Sequence, residues 1–298
     1  MKFDINDLPG GPFESLEDLN KALAAHFETV NNRPIADFHG LSPSQMHNLL
    51  RKTFEPESPI RMKEVTAEQA ERSPFYRLVV DLLTTAQTAG GFKATAKGNL
   101  PTTVCKELYA KRHILLEMIE IGIVKPYKED DYQSINAAHV VCKQIGLLRK
   151  FKGKILLTKK GEKLLQPTNR PELFRELLVG YCLSFNWGYL DGVQVDGLTQ
   201  WELGFLLFLL IKYGNEERKA TYYAEQCLLA FPIMKERLVS PYHSPLEELS
   251  HATEIRFFGH FACWFGLAED TLVEKKSYLD RSIYRKTALL DGLFEVRG

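Results

Sequence analysis

The chain has 298 residues, of which 45% are hydrophobic and 26% charged, an ordinary balance for a soluble globular protein with room for two or three buried cores. Its 38 basic residues match 38 acidic ones, which excludes the global field behind bulk binding to nucleic acid or anionic membranes and leaves that role to a local patch. Cys105, Cys142, Cys182, Cys227 and Cys263 form no CxxC pair, a dispersal that fits buried thiols in a reducing compartment rather than a zinc site or disulfide framework. The stretch from Met1 to Pro12 is acidic and poor in apolar residues, so it does not read as a signal peptide. The longest apolar run, Leu203 to Ile211, falls short of the roughly 20 residues that a bilayer span needs. A cytoplasmic protein without membrane contact is expected.

In chain order, Ser15 can cap a helix whose apolar positions Leu16, Leu19, Leu23, Phe27 and Val30 recur at helical spacing, and Asn31-Asn32-Arg33-Pro34 stops it. The segment from Arg33 to Leu41 leads into a well-marked helix start: Ser42 as N-cap, Pro43 at the first helical position, Gln45 to complete a capping box, and Leu41 to staple onto Met46. Extended residues before a capped helix need no ligand to explain them, so docking is preferred over a binding loop there. From Glu55 to Ser73 the composition turns polar and proline-bearing, as in a linker or surface loop. Ser73-Pro74 then repeats the cap-plus-proline start, with Leu78, Val79, Leu82, Leu83 and Ala86 as the stripe and Gly90-Gly91 as the stop.

Phe92 to Ala96 reads as a short strand, and Pro101 to Ala110 and Ile114 to Ile121 as two helices. Ala137, Val140, Val141, Gln144 and Ile145 define a further helix from about Ser134, ended by Gly146. Leu147, Leu148 and Phe151 lead to Lys152-Gly153, and Ile155 to Leu157 lead away from it, the composition of a hairpin with glycine at its turn. Thr158 can cap the helix that follows. This order of helices and hairpin predicts a winged-helix module from about Phe92 to Gln166, in a domain spanning 73–167 with its preceding helix.

Three blocks, Arg33-Pro34-x-x-Asp37-Phe38-x-Gly40-Leu41-Ser42-Pro43, Gly98-Asn99-Leu100-Pro101 and Gly146 to Leu165, resemble an uncharacterised bacterial protein family with an Arg-Pro-x-x-Asp-Phe-x-Gly-Leu-Ser-Pro segment and winged-helix-like domains. The resemblance implies kinship and a winged-helix, helix-turn-helix type of fold. It implies no activity.

Pro171 opens a helical middle region, 168–243. Leu173, Phe174, Leu177, Leu178 and Tyr181 share a face, Thr199 and Glu202 have capping-box spacing, and Leu203 to Ile211 is apolar all round, as in a central buried helix. Another helix is expected from about Glu217 to Ala230. Trp187, Tyr189 and Trp201 are expected in the surrounding core, with a ligand pocket as the other reading. In 244–298, Ile255, Phe258, Phe261, Ala262 and Phe265 form a helical stripe stopped by Gly266-Leu267, Leu272-Val273 and Ile283-Tyr284 read as paired strands, and Thr287 stands where Thr158 stood. A second, degenerate winged helix, and hence a tandem repeat, is expected there.

The fold class is therefore mainly α (α+β): winged-helix modules with small hairpin wings, an N-terminal helical segment over 1–60, and helical regions between. For function, Lys143, Arg149, Lys150, Lys152, Lys154, Lys159 and Lys160 are the nucleic-acid-binding candidates, joined by Lys163 and opposed only by Glu162. Against base reading stand the few long polar groups on the presumed recognition helix, His139, Lys143 and Gln144, and the acidic Glu129-Asp130-Asp131 before it. No GxGxxG, Walker A, GxSxG or HExxH motif occurs, and His39, His47, His243, His251 and His260 lack metal-site spacing. No catalytic residue, metal or cofactor is assigned. The leading expectation is a non-enzymatic binding module, DNA-binding or otherwise nucleic-acid-associated or regulatory through its basic wing. The alternative is a protein-interaction or scaffolding protein with structural winged helices, and an enzyme comes third.

Overall fold

The computed structural model describes residues 13, 15–193, 197–272 and 282–297. Helix α1 (Leu16–Asn32) starts where the Ser15 hydroxyl accepts from the Asp18 N–H. It buries no residue of its own. Helix α2 (Pro43–Arg51) carries the full reciprocal cap: Gln45 N–H donates to Ser42 Oγ at 3.3 Å and Ser42 N–H to Gln45 Oε1 at 2.9 Å. Between them, the turn at His39 docks on the body of the protein. Its ring Nδ1 lies 2.9 Å from the Tyr213 hydroxyl and its carbonyl accepts from Lys212 Nζ at 2.7 Å. Burial, followed by the Lys212 charge, holds the His39 imidazole below its ordinary value.

The stretch read as a linker contains β1 (Ile60–Met62) and α3 (Ala67–Glu71), with Ile60 and Ala70 buried. Helix α4 (Pro74–Thr88) then supplies a long buried face. After it come β2 (Phe92–Lys93), α5 (Thr102–Ala110), the single turn α6 (Glu117–Glu120), α7 (Gln133–Gln144), the hairpin β3 (Leu148–Phe151) and β4 (Lys154–Leu157), and α8 (Lys159–Leu165). Helix α9 (Arg170–Leu183) leads to α10 (Leu198–Trp201) and α11 (Leu203–Tyr213), in which every residue from Leu203 to Ile211 is buried. The predicted capping box of Thr199 and Glu202 does not form. Gly197, at φ 66°, caps α10, and Glu202 stands between α10 and α11 with its side chain wholly buried.

The remaining elements are β5 (Arg218–Lys219), α12 (Ala220–Ala230), α13 (Pro245–Ala252), which continues as a π-helix over Thr253–Ala262, then β6 (Ala268–Leu272), β7 (Ser282–Lys286), α14 (Ala288–Leu293) and β8 (Phe294–Val296). Among the described residues there are three small antiparallel sheets, ordered β2-β4-β3, β5-β7-β6 and β1-β8. The chain is thus mainly helical, of the α+β class.

Two segments share one local design. In each, a long helix, a two-residue strand and further helices precede a hairpin whose second strand sits in the middle of its sheet. The stops agree bond for bond. Gly146 (φ 77°) and Gly266 (φ 73°) are left-handed; Leu147 N–H donates to Cys142 O and Leu267 N–H to Ala262 O, both at 2.7 Å. Thr158 Oγ1 donates to Gly146 O at 2.7 Å, and Thr287 Oγ1 to Gly266 O at 2.6 Å. In the second segment β6 pairs with β7 from Ala268↔Lys286 to Leu272↔Ser282; Val273, expected in that pairing, lies outside the described residues.

Aromatic packing joins these parts. Tyr181 of α9 meets the rings of Phe75, Phe185, Trp187, Phe261 and Phe265, and its hydroxyl donates to His260 O at 2.6 Å. Trp187 belongs to this core, while Tyr189 is exposed and Trp201 packs on Phe231. Helix α2 crosses α11 so closely that a Cβ on Gly204 would lie 2.1 Å from the Leu49 carbonyl oxygen and 3.0 Å from Thr53 Oγ1. Backbone cannot yield there as a side chain could. Gly204→Ala is expected to destabilise by about 1–3 kcal/mol or more, read as a lowered urea midpoint against wild type.

Candidate nucleic-acid interface

The first hairpin turns at Lys152 (φ 47°) and Gly153 (φ 75°). Register settles which side chains share its faces. Leu148, Lys150, Ile155, Leu157 and Phe92 point one way, and the buried members of that set, Leu148, Ile155 and Phe92, anchor it on α4. Arg149, Phe151, Lys154, Leu156 and Lys93 point the other way, with Lys93, Lys154 and Phe151 aligned in one row across the three strands. Phe151 is 48% exposed, and Lys93, Arg149, Lys152 and Lys154 are exposed around it. The Arg149 guanidinium lies 5.3 Å and Lys152 Nζ 5.5 Å from its ring centre.

The sequence candidates divide by what they touch. Lys160 is committed to the fold: Nζ donates to Ile145 O at 2.9 Å, at the end of α7, and pairs with Glu176 of α9. Lys150 lies across Gly98, its Nζ 3.0 Å from where a Cβ would stand. Lys143 and Lys159 are exposed, at the last turn of α7 and the first of α8. Among the described residues no ion pair includes Lys93, Lys143, Arg149, Lys150, Lys152, Lys154 or Lys159. Sequence reasoning missed Lys93 and the central place of Phe151. Alternation within each strand was visible, but the pairing of Lys93 with Lys154 is set by tertiary contact.

Helix α7, the presumed reader, is enclosed. Ser134 to His139, Val141 and Cys142 are all buried, against α4, α5, α9 and the hairpin. Ile145 just beyond it fits over Gly180 of α9, where a Cβ would stand 2.3 Å from Ile145 Cγ2. Its charged cover is Glu129, itself 1% exposed: one carboxylate oxygen accepts from the Leu100 N–H, while the other accepts from Asn136 Nδ2 and lies 2.9 Å from His139 Nδ1. The acidic run before α7 therefore does not face outward as a unit. Glu129 points inward, Asp130 accepts from Asn99 Nδ2 and Asp131 from the N–H groups of Tyr127 and Lys128. Burial and then the Glu129 charge push the neighbouring Cys105 thiol up to about 12.

Among the described residues, two concavities lie away from this face. A groove of about 480 Å³ is lined by Leu228, Leu229, Pro245 and Leu246 with Glu225 and Lys235, and a cavity of about 290 Å³ by His113, Trp264, Cys263, Asp270 and Tyr284. In the second, His113 Nε2 is held 2.6 Å from Asp81, and burial raises the Cys263 thiol, which keeps it protonated.

The fold and this surface define a mainly helical α+β protein with small antiparallel sheets and a basic hairpin face. Residues 71–171, from the end of α3 through the hairpin to the start of α9, match the sequence profile of the Y4jL N-terminal domain, which supports kinship with that family over this stretch. No curated protein and no solved structure matches the chain.

Proposed function

We propose that the chain is a non-enzymatic binding protein built on two winged-helix modules in tandem, and that the wing β3–β4 contacts the phosphates of nucleic acid. The observation that carries this reading is the outer face of the β2-β4-β3 sheet with its hairpin turn: Lys93, Arg149, Lys152 and Lys154 stand exposed there without an ion-pair partner among the described residues. Each cation that meets a phosphate releases a counterion, so affinity falls with salt in proportion to the contacts made. Burial of α7 removes the element that would read base edges in a major groove. The contact is thus one of charge and shape rather than of sequence.

The same burial favours a second reading, in which the module is a scaffold for protein partners and the wing cations are merely solvated. A binding titration with labelled single-stranded and duplex oligonucleotides across a salt series separates the two. Four phosphate contacts predict a log–log salt slope of about −3 for single strands and about −3.6 for the duplex, reduced to about −0.7 and about −0.9 when Arg149, Lys152 and Lys154 are all replaced by alanine. Absence of binding at about 50 mM salt, or an unchanged slope in the triple variant, contradicts the nucleic-acid reading and leaves the protein-partner one.

A further inference from the structure

Resting on the nucleic-acid reading above, we infer that the outer face of the β2-β4-β3 sheet takes single-stranded nucleic acid, with a base stacked on Phe151 and its flanking phosphates on Lys93, Arg149, Lys152 and Lys154. Three observations lead there. An exposed aromatic ring stands in the same cross-strand row as two lysines, Lys93 and Lys154, on a surface three strands wide, about 10 Å across. Lys93 and Lys154 face each other directly, an arrangement of like charges that is unfavourable in a sheet and is relieved by an anion between them. The duplex offers this face little: α7 is buried and cannot enter a groove, whereas the bases of a single strand are free to turn toward a ring.

The chemistry is that of a stacking platform within a positively charged track, which tolerates any base because every base has a π-face. Arg149 and Lys152 lie over the Phe151 ring in the free protein. A base that enters takes the place of one cation, which then meets the adjacent phosphate.

Fluorescence anisotropy with labelled oligothymidine, oligouridine and a blunt duplex, each of about 12 nucleotides per strand, tests this on the full chain at about 50 mM salt. Single strands are expected to bind about tenfold tighter than the duplex. Phe151→Ala weakens their binding by about tenfold and leaves duplex binding unchanged. Phe151→Tyr retains binding and Phe151→Leu weakens it as alanine does, since the face of the ring rather than its bulk is needed. Equal affinity for oligothymidine and oligouridine supports the shared base-and-phosphate chemistry; preference for oligouridine supports it with the 2′-hydroxyl as an added contact. Equal binding of duplex and single strand, or a Phe151→Leu variant that binds like wild type, overturns the inference and leaves the wing reading standing. No binding of any oligonucleotide overturns both. Phe151 is half exposed at the hairpin's edge strand, so a thermal melt matching wild type assigns any loss to binding rather than folding.

Discussion

Glu129→Ala is expected to lower the unfolding free energy by about 3–5 kcal/mol, because it leaves several buried hydrogen-bonding groups without their acceptor at about 1–3 kcal/mol each. The residue is 1% exposed and is the shared acceptor for the Leu100 N–H and Asn136 Nδ2, with His139 Nδ1 2.9 Å away. Alanine leaves those groups enclosed and without their acceptor, while His139 Nε2 already has no partner among the described residues. Unmade bonds of this kind are costlier than made ones are favourable. Glu129→Gln retains one carbonyl acceptor and is expected to lose less. Urea unfolding followed by circular dichroism measures both, and a loss below about 1 kcal/mol for the alanine variant contradicts the role of Glu129 as the hub. Because Glu129 closes one side of α7, the alanine variant also tests whether that helix can be uncovered at all.

Glu202→Gln is expected to stabilise the protein in alkaline solution and to flatten its stability profile. Burial pushes the Glu202 carboxyl up to about 8, with the Cys227 thiol beside it pulling the other way. A thiol is a weak donor, and neither carboxyl oxygen finds an oxygen or nitrogen donor among the described residues. The folded chain therefore holds a proton that the unfolded chain releases at an ordinary carboxylate value. Between about pH 4.5 and about pH 8 the folded state binds more protons, so this group's effect is to reduce stability steadily as pH rises, with no further change above that range. Glutamine has no proton to lose. Its advantage over glutamate is on the order of 5 kcal/mol above pH 8 and close to nothing at the acid end. Unfolding midpoints of the two proteins from pH 5 to pH 9 check this; parallel profiles would show that Glu202 ionises without penalty.

How much of this was legible in the residues depended on how local each signal was. The cap at Ser42 with Gln45, the turn at Lys152-Gly153, the stop at Gly146 and the cap at Thr158 each lie within a few positions, and each appears as the spacing predicts. The strand β5 and the pair β1–β8 were not legible, because short strands over Arg218–Lys219 and Ile60–Met62 acquire their partners only in the folded chain. Thr199 and Glu202 had the right spacing for a cap, yet Gly197 starts the helix and burial takes the glutamate elsewhere. At the candidate interface the hairpin cations were visible as a cluster. Two things were not: Lys160 is used at the end of α7, and Lys93 joins the row from a strand more than one helix away in sequence.

The pairing of β1 with β8 has a consequence for how the chain is made. Ile60, Arg61 and Met62 align with Val296, Glu295 and Phe294, and Arg297 reaches back to the Pro56 carbonyl across 241 residues of sequence. On a ribosome adding about 5–20 residues per second, the segment around Pro56 waits roughly 12–50 s for that partner. Until then the edge of β1 lacks the strand it pairs with, so the ladder that joins the two ends of the described chain is among the last structure to form.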